Sequence, residues 1–216
     1  MIRPFLITTS LLPCIIQSAA AAEGDWLVRL RGIAVAPTEN SSDVLPGFPG
    51  GQVGVETAFV PELDFTYFLT DNIGAELILA TSPHDLVGEG TLAGLGEIGD
   101  VMALPPTLTL QYHFNPNGKF RPYAGVGVNY TIFYSEDASD SLINAVGPTT
   151  LDVDDSVGVS FQVGADIELT ERWFLNADVK YIQIDTTATL NSGGAINTVD
   201  VDLDPIVAGV GIGLRF

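Results

Sequence analysis

The chain has 216 residues, and 27 aspartates and glutamates against 8 lysines and arginines give it a formal net charge of −19. Such a charge argues against nucleic acid as a partner and against direct docking to anionic lipid A. The mean hydropathy is +0.32, yet after the first 22 residues no apolar run reaches the ~18 residues that a membrane-spanning helix needs. Apolar residues at every second position instead predict a membrane β-barrel.

The first 22 residues predict a secretory signal peptide. A basic start and a mostly apolar stretch precede a run of alanines, in which Ala20 and Ala22 fit an A-x-A cleavage site. Lipidation of Cys14 is the alternative, although the proline directly before it is a poor fit. Cleavage after Ala22 leaves one mature domain, residues 23–216, which has no cysteine and cannot form disulfides.

Eight segments with alternating apolar and polar residues follow. They predict strands at residues 26–37, 54–69, 73–81, 104–114, 121–134, 156–169, 173–190 and 199–216. Long connections at 38–51, 83–100, 135–155 and 191–198 alternate with short turns. The pattern predicts an all-β fold, an eight-stranded antiparallel transmembrane barrel. Because bacterial barrels have short periplasmic turns and long outer loops, both termini are expected in the periplasm.

One face of the predicted strands is polar and is expected to line the lumen. Its charged residues form a candidate ionic network of Arg29, Arg31, Glu62, Asp64, Glu76, Asp166, Glu168, Asp178 and Lys180. Because buried charges need partners, we expect a structural plug that also stops ions from leaking. Conduction of protons or ions is the alternative.

The last predicted strand has the most regular alternation. Its apolar face includes Val210, Ile212, Leu214 and Phe216, and glycines occupy the other face. We expect the apolar face to meet lipid and to act as the closing-strand signal for the barrel-assembly machinery. Aromatic residues at the periplasmic strand ends are expected to form an interfacial girdle of Trp26, Tyr67, Tyr112, Phe114, Tyr123, Trp173 and Phe216.

Two adjacent prolines, Pro105 and Pro106, stand near the start of the fourth predicted strand. Neither has an amide hydrogen, so both weaken pairing in the barrel wall. One hypothesis is a local gap through which an apolar solute leaves sideways. The alternative is an ordinary strand start or an edge bulge.

Catalytic, metal and cofactor sites are not expected. His84 and His113 lie toward opposite membrane faces, and the neighbours Ser82 and Asp85 do not by themselves make a triad with His84. No cysteine or paired-histidine spacing indicates a metal, and no glycine-rich loop opens a helix as nucleotide binding requires. The acidic loops suggest weak Ca²⁺ binding at most, with solvated charge as the simpler interpretation.

Several stretches together resemble the OmpW family of small outer-membrane proteins. They are 30–32, 70–74, 104–107, 120–131, 185–188 and 203–205, among which the runs LPPT and FRPYAGVGVNY are specific. The resemblance implies an eight-stranded barrel with a narrow, partly apolar channel. It also implies uptake of small hydrophobic molecules and, in some members, a role as phage or bacteriocin receptor.

These observations predict a monomer in contact with the lipid of a Gram-negative outer membrane, passively admitting small hydrophobic solutes. The alternative is a non-transporting structural or stress barrel whose extracellular loops bind partners. An apolar cavity in the upper lumen favours transport, whereas a lumen filled by the ionic network along its full length favours the structural alternative.

Overall fold

A computed structural model describes residues 23–216, so the predicted signal peptide with Ala20 and Ala22 lies outside the described residues. The strands are β1 (Trp26–Ala36), β2 (Asn40–Ser41), β3 (Gly51–Val55), β4 (Ala58–Phe68), β5 (Ile73–Ala80), β6 (Ser82–Gly90), β7 (Glu97–Leu104), β8 (Thr107–His113), β9 (Phe120–Ala138), β10 (Thr149–Val153), β11 (Ser156–Glu168), β12 (Trp173–Ile182), β13 (Asp185–Ser192), β14 (Ala195–Asp202) and β15 (Ile206–Arg215). A short helix, α1 (Asp140–Val146), and a 3₁₀ turn (Ala93–Leu95) complete the elements. Within residues 23–216, no helix is long and apolar enough to cross a membrane.

Eight of these strands close into an antiparallel barrel, which confirms the predicted fold. Their order around the wall is β1, β4, β5, β8, β9, β11, β12 and β15, and β15 pairs back with β1. Each wall strand therefore lies beside the next wall strand in the chain, as in up-and-down barrels.

The short turns lie at one end of the barrel, which we call the turn end, and the long connections lie at the opposite loop end. Two of the turns have the same local cause. The hydroxyl of Thr70 accepts a hydrogen bond from the amide of Ile73 at 3.0 Å, and that of Thr170 accepts from the amide of Trp173 at 3.2 Å. Such side-chain bonds replace backbone partners and make a tight reversal.

The long connections contain more strand than the sequence predicts. Residues 83–100, predicted as a loop, belong largely to the β6–β7 hairpin, and β13 pairs with β14 across residues 191–198. Beyond the barrel rim, one extension joins β3, β6, β7 and β9, and a second sheet joins β10, β13, β14 and β2. Glycine-rich sequence lowers strand propensity, so pairing with neighbouring strands is what makes these segments regular.

The outward side chains of the wall are apolar and exposed, for example Leu108, Val126, Val163 and Val210. Such a band is the surface that hydrocarbon covers in a membrane barrel. Most of the predicted aromatic girdle is exposed or half-buried at the turn end, but Tyr123 is not part of it. Tyr123 is 2% exposed because its parity on β9 directs it into the lumen.

The lumen has three layers, which are visible in the inward-facing residues of single strands. Along β12 these are Phe174, Asn176, Asp178, Lys180 and Ile182. A small apolar cluster at the turn end consists of Leu27, Phe68 and Phe174, and a much larger one lies at the loop end. Along β12, charge therefore lies between the two clusters, and it does not extend through the larger apolar cluster at the loop end.

Candidate functional site

Buried charge crosses the lumen between the two apolar layers. We call this the charged belt, and its members are Arg29, Arg31, Glu62, Asp64, Glu76, Asp166, Asp178 and Lys180. They come from β1, β4, β5, β11 and β12, and none is more than 5% exposed.

The two arginines hold the charged belt together. Arg29 Nη1 lies 3.0 Å from Asp64 Oδ1, and its Nη2 lies 2.7 Å from Asp166 Oδ2. Arg31 Nη2 lies 2.6 Å from Glu62 Oε1, and its Nη1 lies 2.6 Å from Asp178 Oδ2. Each guanidinium thus joins carboxylates from different strands, a geometry suited to its planar fork of donors.

Strand register places these arginines. Arg29 lies opposite Asp64, and Arg31 lies opposite Glu62, on the neighbouring strand β4. On the other side, Arg31 faces Gly211 of β15. A Cβ atom at Gly211 would lie 2.7 Å from Arg31 Cγ, so the glycine face of β15 leaves the space that the arginine side chain fills.

Glu168, predicted as part of the same network, lies elsewhere. It is partly exposed at the turn end and pairs with Arg121, because β11 carries it two residues beyond Asp166. The guanidinium carbons of Arg121 and Arg215 lie 4.7 and 5.2 Å from the centre of the Phe174 ring. Neither arginine is in the predicted network, although inward parity on β9 and β15 signals a lumen position.

An apolar cavity of about 80 Å³ lies on the loop-end side of the charged belt. Its wall combines barrel residues such as Ile33 and Val207 with extension residues such as Phe133 and Val201. Glu62 of the belt also lines it. The cavity is therefore apolar on its sides and meets charge where it adjoins the belt.

Pro105 and Pro106 lie between β7 and β8, and Pro105 lines the cavity. On the β9 side the wall stays bonded, since the amide of Tyr130 donates to the carbonyl of Pro106 at 3.1 Å.

The β5 side of the two prolines is different. Pairing of β5 with β8 ends where Ile78 lies opposite Thr107, and pairing of β6 with β7 starts where Ser82 lies opposite Ala103. In the described chain no ladder pair joins the segments between these points. The wall is thus interrupted on one side of the prolines, next to the cavity.

The histidines occupy separate places. His84 Nε2 lies 2.9 Å from Ser82 Oγ, and His84 Nδ1 lies 3.2 Å from the carbonyl oxygen of Glu56. The side chains of Ser82 and His84 line the cavity. Burial lowers the pKa of His84. Asp85 points away and is exposed, so the three neighbours do not form a triad. His113 is buried between Phe68 and Tyr123.

The residues of the closing strand lie on the outer surface. Val210, Ile212 and Phe216 are exposed and Leu214 is partly exposed, on a strand that pairs with β1 and β12. Across residues 23–216, no group of three or more histidine, cysteine, aspartate or glutamate side chains is arranged to hold a metal ion.

Comparison with known proteins places this geometry among outer-membrane proteins. Outer membrane protein W of Vibrio cholerae is 39% identical over 200 residues, which cover 91% of each chain. The dibenzothiophene metabolism operon protein PahQ of Pseudomonas aeruginosa is 30% identical over 220 residues, covering both chains completely. The crystal structure of outer membrane protein OprG of Pseudomonas aeruginosa matches with a TM-score of 0.85 and 35% identity, covering 93% of this chain and 99% of that one. A sequence model of the OmpW family matches residues 22–216, and the chain belongs to this family of outer-membrane barrels.

Proposed function

We propose that this protein passively admits small hydrophobic solutes through the outer membrane. The observation that carries the proposal is the apolar cavity in the loop-end part of the lumen, beside the charged belt. An eight-stranded barrel has an interior that side chains nearly fill, so a defined apolar cavity is a feature that a purely structural barrel does not need.

In this proposal the charged belt is a plug, and the solute leaves sideways. An apolar solute that crossed the belt would separate buried ion pairs, which is costly. The wall interruption beside Pro105 and Pro106 offers a route from the cavity into the bilayer that avoids the belt. The turn end, with both Trp26 and Phe216, is then periplasmic, and the loop end faces outward.

The name of one relative supports an apolar cargo. PahQ is named for an operon of dibenzothiophene metabolism, and dibenzothiophene is an apolar fused-ring aromatic. We carry over only this chemical class. The alternative, a structural or stress barrel whose acidic outer loops bind partners, needs no cavity.

The test is uptake of a small alkane or an apolar fluorescent dye by proteoliposomes. Ala103 lines the cavity and is 7% exposed, so Ala103→Phe should fill it and lower uptake to near the protein-free rate. Ala177→Phe makes the same change on the exposed outer face and should leave uptake unchanged. Equal uptake with and without folded protein would favour the structural alternative.

A further inference from the structure

The polar side chains around the cavity share one property. Within residues 23–216 there are six of them, Glu62, Ser82, His84, Thr107, Thr131 and Thr186, and the other lining residues are apolar. In each, the polar hydrogen is engaged with another protein group or is absent. The hydrogen-bond partners decide what these side chains still offer to a solute.

The Ser82–His84 pair has a fixed direction. A backbone carbonyl only accepts, so His84 Nδ1 must carry the hydrogen that it donates to Glu56 O. In the neutral ring, which burial favours by lowering the pKa, Nε2 is then the acceptor and the Ser82 hydroxyl donates to it at 2.9 Å. Ser82 therefore has only lone pairs left for the cavity.

The two threonines at the barrel rim follow the same rule. Thr107 donates its hydroxyl hydrogen to the carbonyl of Pro105 at 3.0 Å, and Thr131 donates to Oδ1 of Asn129 at 2.7 Å. The Asn129 amide nitrogen donates to Thr107 Oγ1 at 2.9 Å. This bond fixes which side of the Asn129 amide is nitrogen, so the oxygen faces Thr131. Neither threonine therefore has a free donor.

The remaining polar side chains among the described lining residues add no donor. Thr186 donates to the carbonyl of Asp154, and the Glu62 carboxylate accepts from Lys180 Nζ at 3.0 Å. Pro37, Pro105 and Pro205 also line the cavity, and proline has no amide hydrogen.

We infer that the cavity selects apolar solutes that carry a hydrogen-bond donor, such as phenols and aliphatic alcohols, over equally apolar solutes that carry only an acceptor. A donor on the solute satisfies buried lone pairs, whereas an ether or ketone oxygen meets only other acceptors and loses its water without replacement. The inference names the solute class of the proposed uptake and rests on that proposal for its role in the cell.

Equilibrium binding tests the inference without requiring transport. The probes are phenol, anisole and toluene, which share one ring and present a donor, an acceptor only, and neither. Methyl shifts of Ile33, Ile182 and Ile184, which line the cavity, report binding to the protein in lipid nanodiscs. After correction for lipid partitioning, phenol should bind about fivefold more tightly than toluene, and anisole no more tightly than toluene.

Variants locate the effect. Ser82→Ala/His84→Leu removes the acceptors of β6 and should reduce the preference for phenol. Thr81→Val removes a hydroxyl from an exposed position just before β6 and should preserve the preference. Because the three probes are compared first on the unaltered protein, a variant that fails to fold does not remove the test.

The outcomes separate the inference from the proposed function. Anisole and phenol binding equally tightly to the unaltered protein would overturn the inference, even if protein-dependent uptake of both upheld the proposed function. A phenol preference without protein-dependent flux would uphold the selectivity of the cavity and contradict uptake.

Discussion

At the scale of single residues, the arginines of β1 have the most demanding environment. Arg29 and Arg31 are almost completely buried, and each contacts carboxylates from more than one strand. Removing one partner from such a cluster leaves uncompensated charge where water cannot reach it. Stability should therefore depend on these side chains more than on any exposed charge.

Substitution of Arg31 tests this dependence. Arg31→Leu leaves Glu62 and Asp178 without their shortest cationic contacts, and the free energy of unfolding should fall by about 3–5 kcal/mol. Arg172→Leu removes an exposed arginine from a turn and should change the free energy of unfolding by less than about 0.5 kcal/mol. Urea unfolding in lipid vesicles, followed by tryptophan fluorescence, measures both. Equal losses would show that the buried pairs are not decisive.

Gly211 is the complementary test, because it provides space rather than charge. A Cβ atom there would lie 2.1 Å from the carbonyl oxygen of Leu30, so Gly211→Ala should destabilise the barrel by about 1–3 kcal/mol through overpacking. Gly32→Ala adds the same methyl group where nothing lies within 4 Å, and serves as the control. The same urea titration applies, and a neutral Gly211→Ala would contradict the assigned packing.

At the scale of elements, the join between β7 and β8 differs from the rest of the wall. Pro106 keeps its bond to β9, but among the described residues neither Pro105 nor Pro106 has a ladder partner on the β5 side. By contrast, the chain around Pro205 stays bonded on both sides, through the carbonyl groups of Pro205 and Leu203. Proline alone therefore does not open a barrel wall, and the missing partner on β5 is what distinguishes the first site.

Restoring the two amide groups should close this route. Because the amides of adjacent strand residues point to opposite neighbours, Pro105→Thr would allow one new ladder bond to β5 and Pro106→Val one to β9, each of about 1 kcal/mol. Uptake of an apolar dye should fall roughly fivefold through the bond to β5. Pro61→Thr changes an exposed proline elsewhere in the wall and should have no effect. Unchanged uptake in the double variant, with the barrel folded, would disprove lateral exit at this point.

At the scale of the whole molecule, the lumen is divided into a charged belt and an apolar layer at the loop end, and the two differ in which parts of the chain build them. The charged belt spans five wall strands, whereas the apolar layer depends on both the barrel rim and the extension strands. If the belt is a plug, ions cannot cross the barrel, whereas apolar solutes can enter the cavity and leave sideways.

Conductance measures this separation. In a planar bilayer the unaltered protein should give no steady ion current, because the belt leaves no continuous water path. Arg31→Ala/Lys180→Ala removes two large side chains from the belt and should produce a measurable current. A steady current through the unaltered protein would support the alternative of ion conduction.

Alternation along the chain was enough to predict eight wall strands and which of their side chains face inward. It did not predict where three of them end, because the predicted strands 54–69, 173–190 and 199–216 each run into a strand of the loop-end extensions. Side-chain direction in a strand depends only on parity, so Arg29, Asp64 and Asp178 could be placed in the lumen without knowing their neighbours. Parity does not give height along the barrel axis. For that reason Glu168 was grouped with the belt although it lies at the turn end.

Tertiary structure alone decided the cavity, the hydrogen-bond directions of its polar side chains and the side of Pro105 and Pro106 on which wall pairing is missing. The cavity needs β6, β7 and β13, each of which pairs with the adjacent strand of its hairpin and also with a non-adjacent strand: β3, β9 and β10, respectively. The direction of the Ser82–His84 bond depends on a carbonyl 28 residues away. Local alternation thus determined which face each side chain takes, whereas hydrogen-bond partners and enclosed space depend on strand register, which a single strand does not specify.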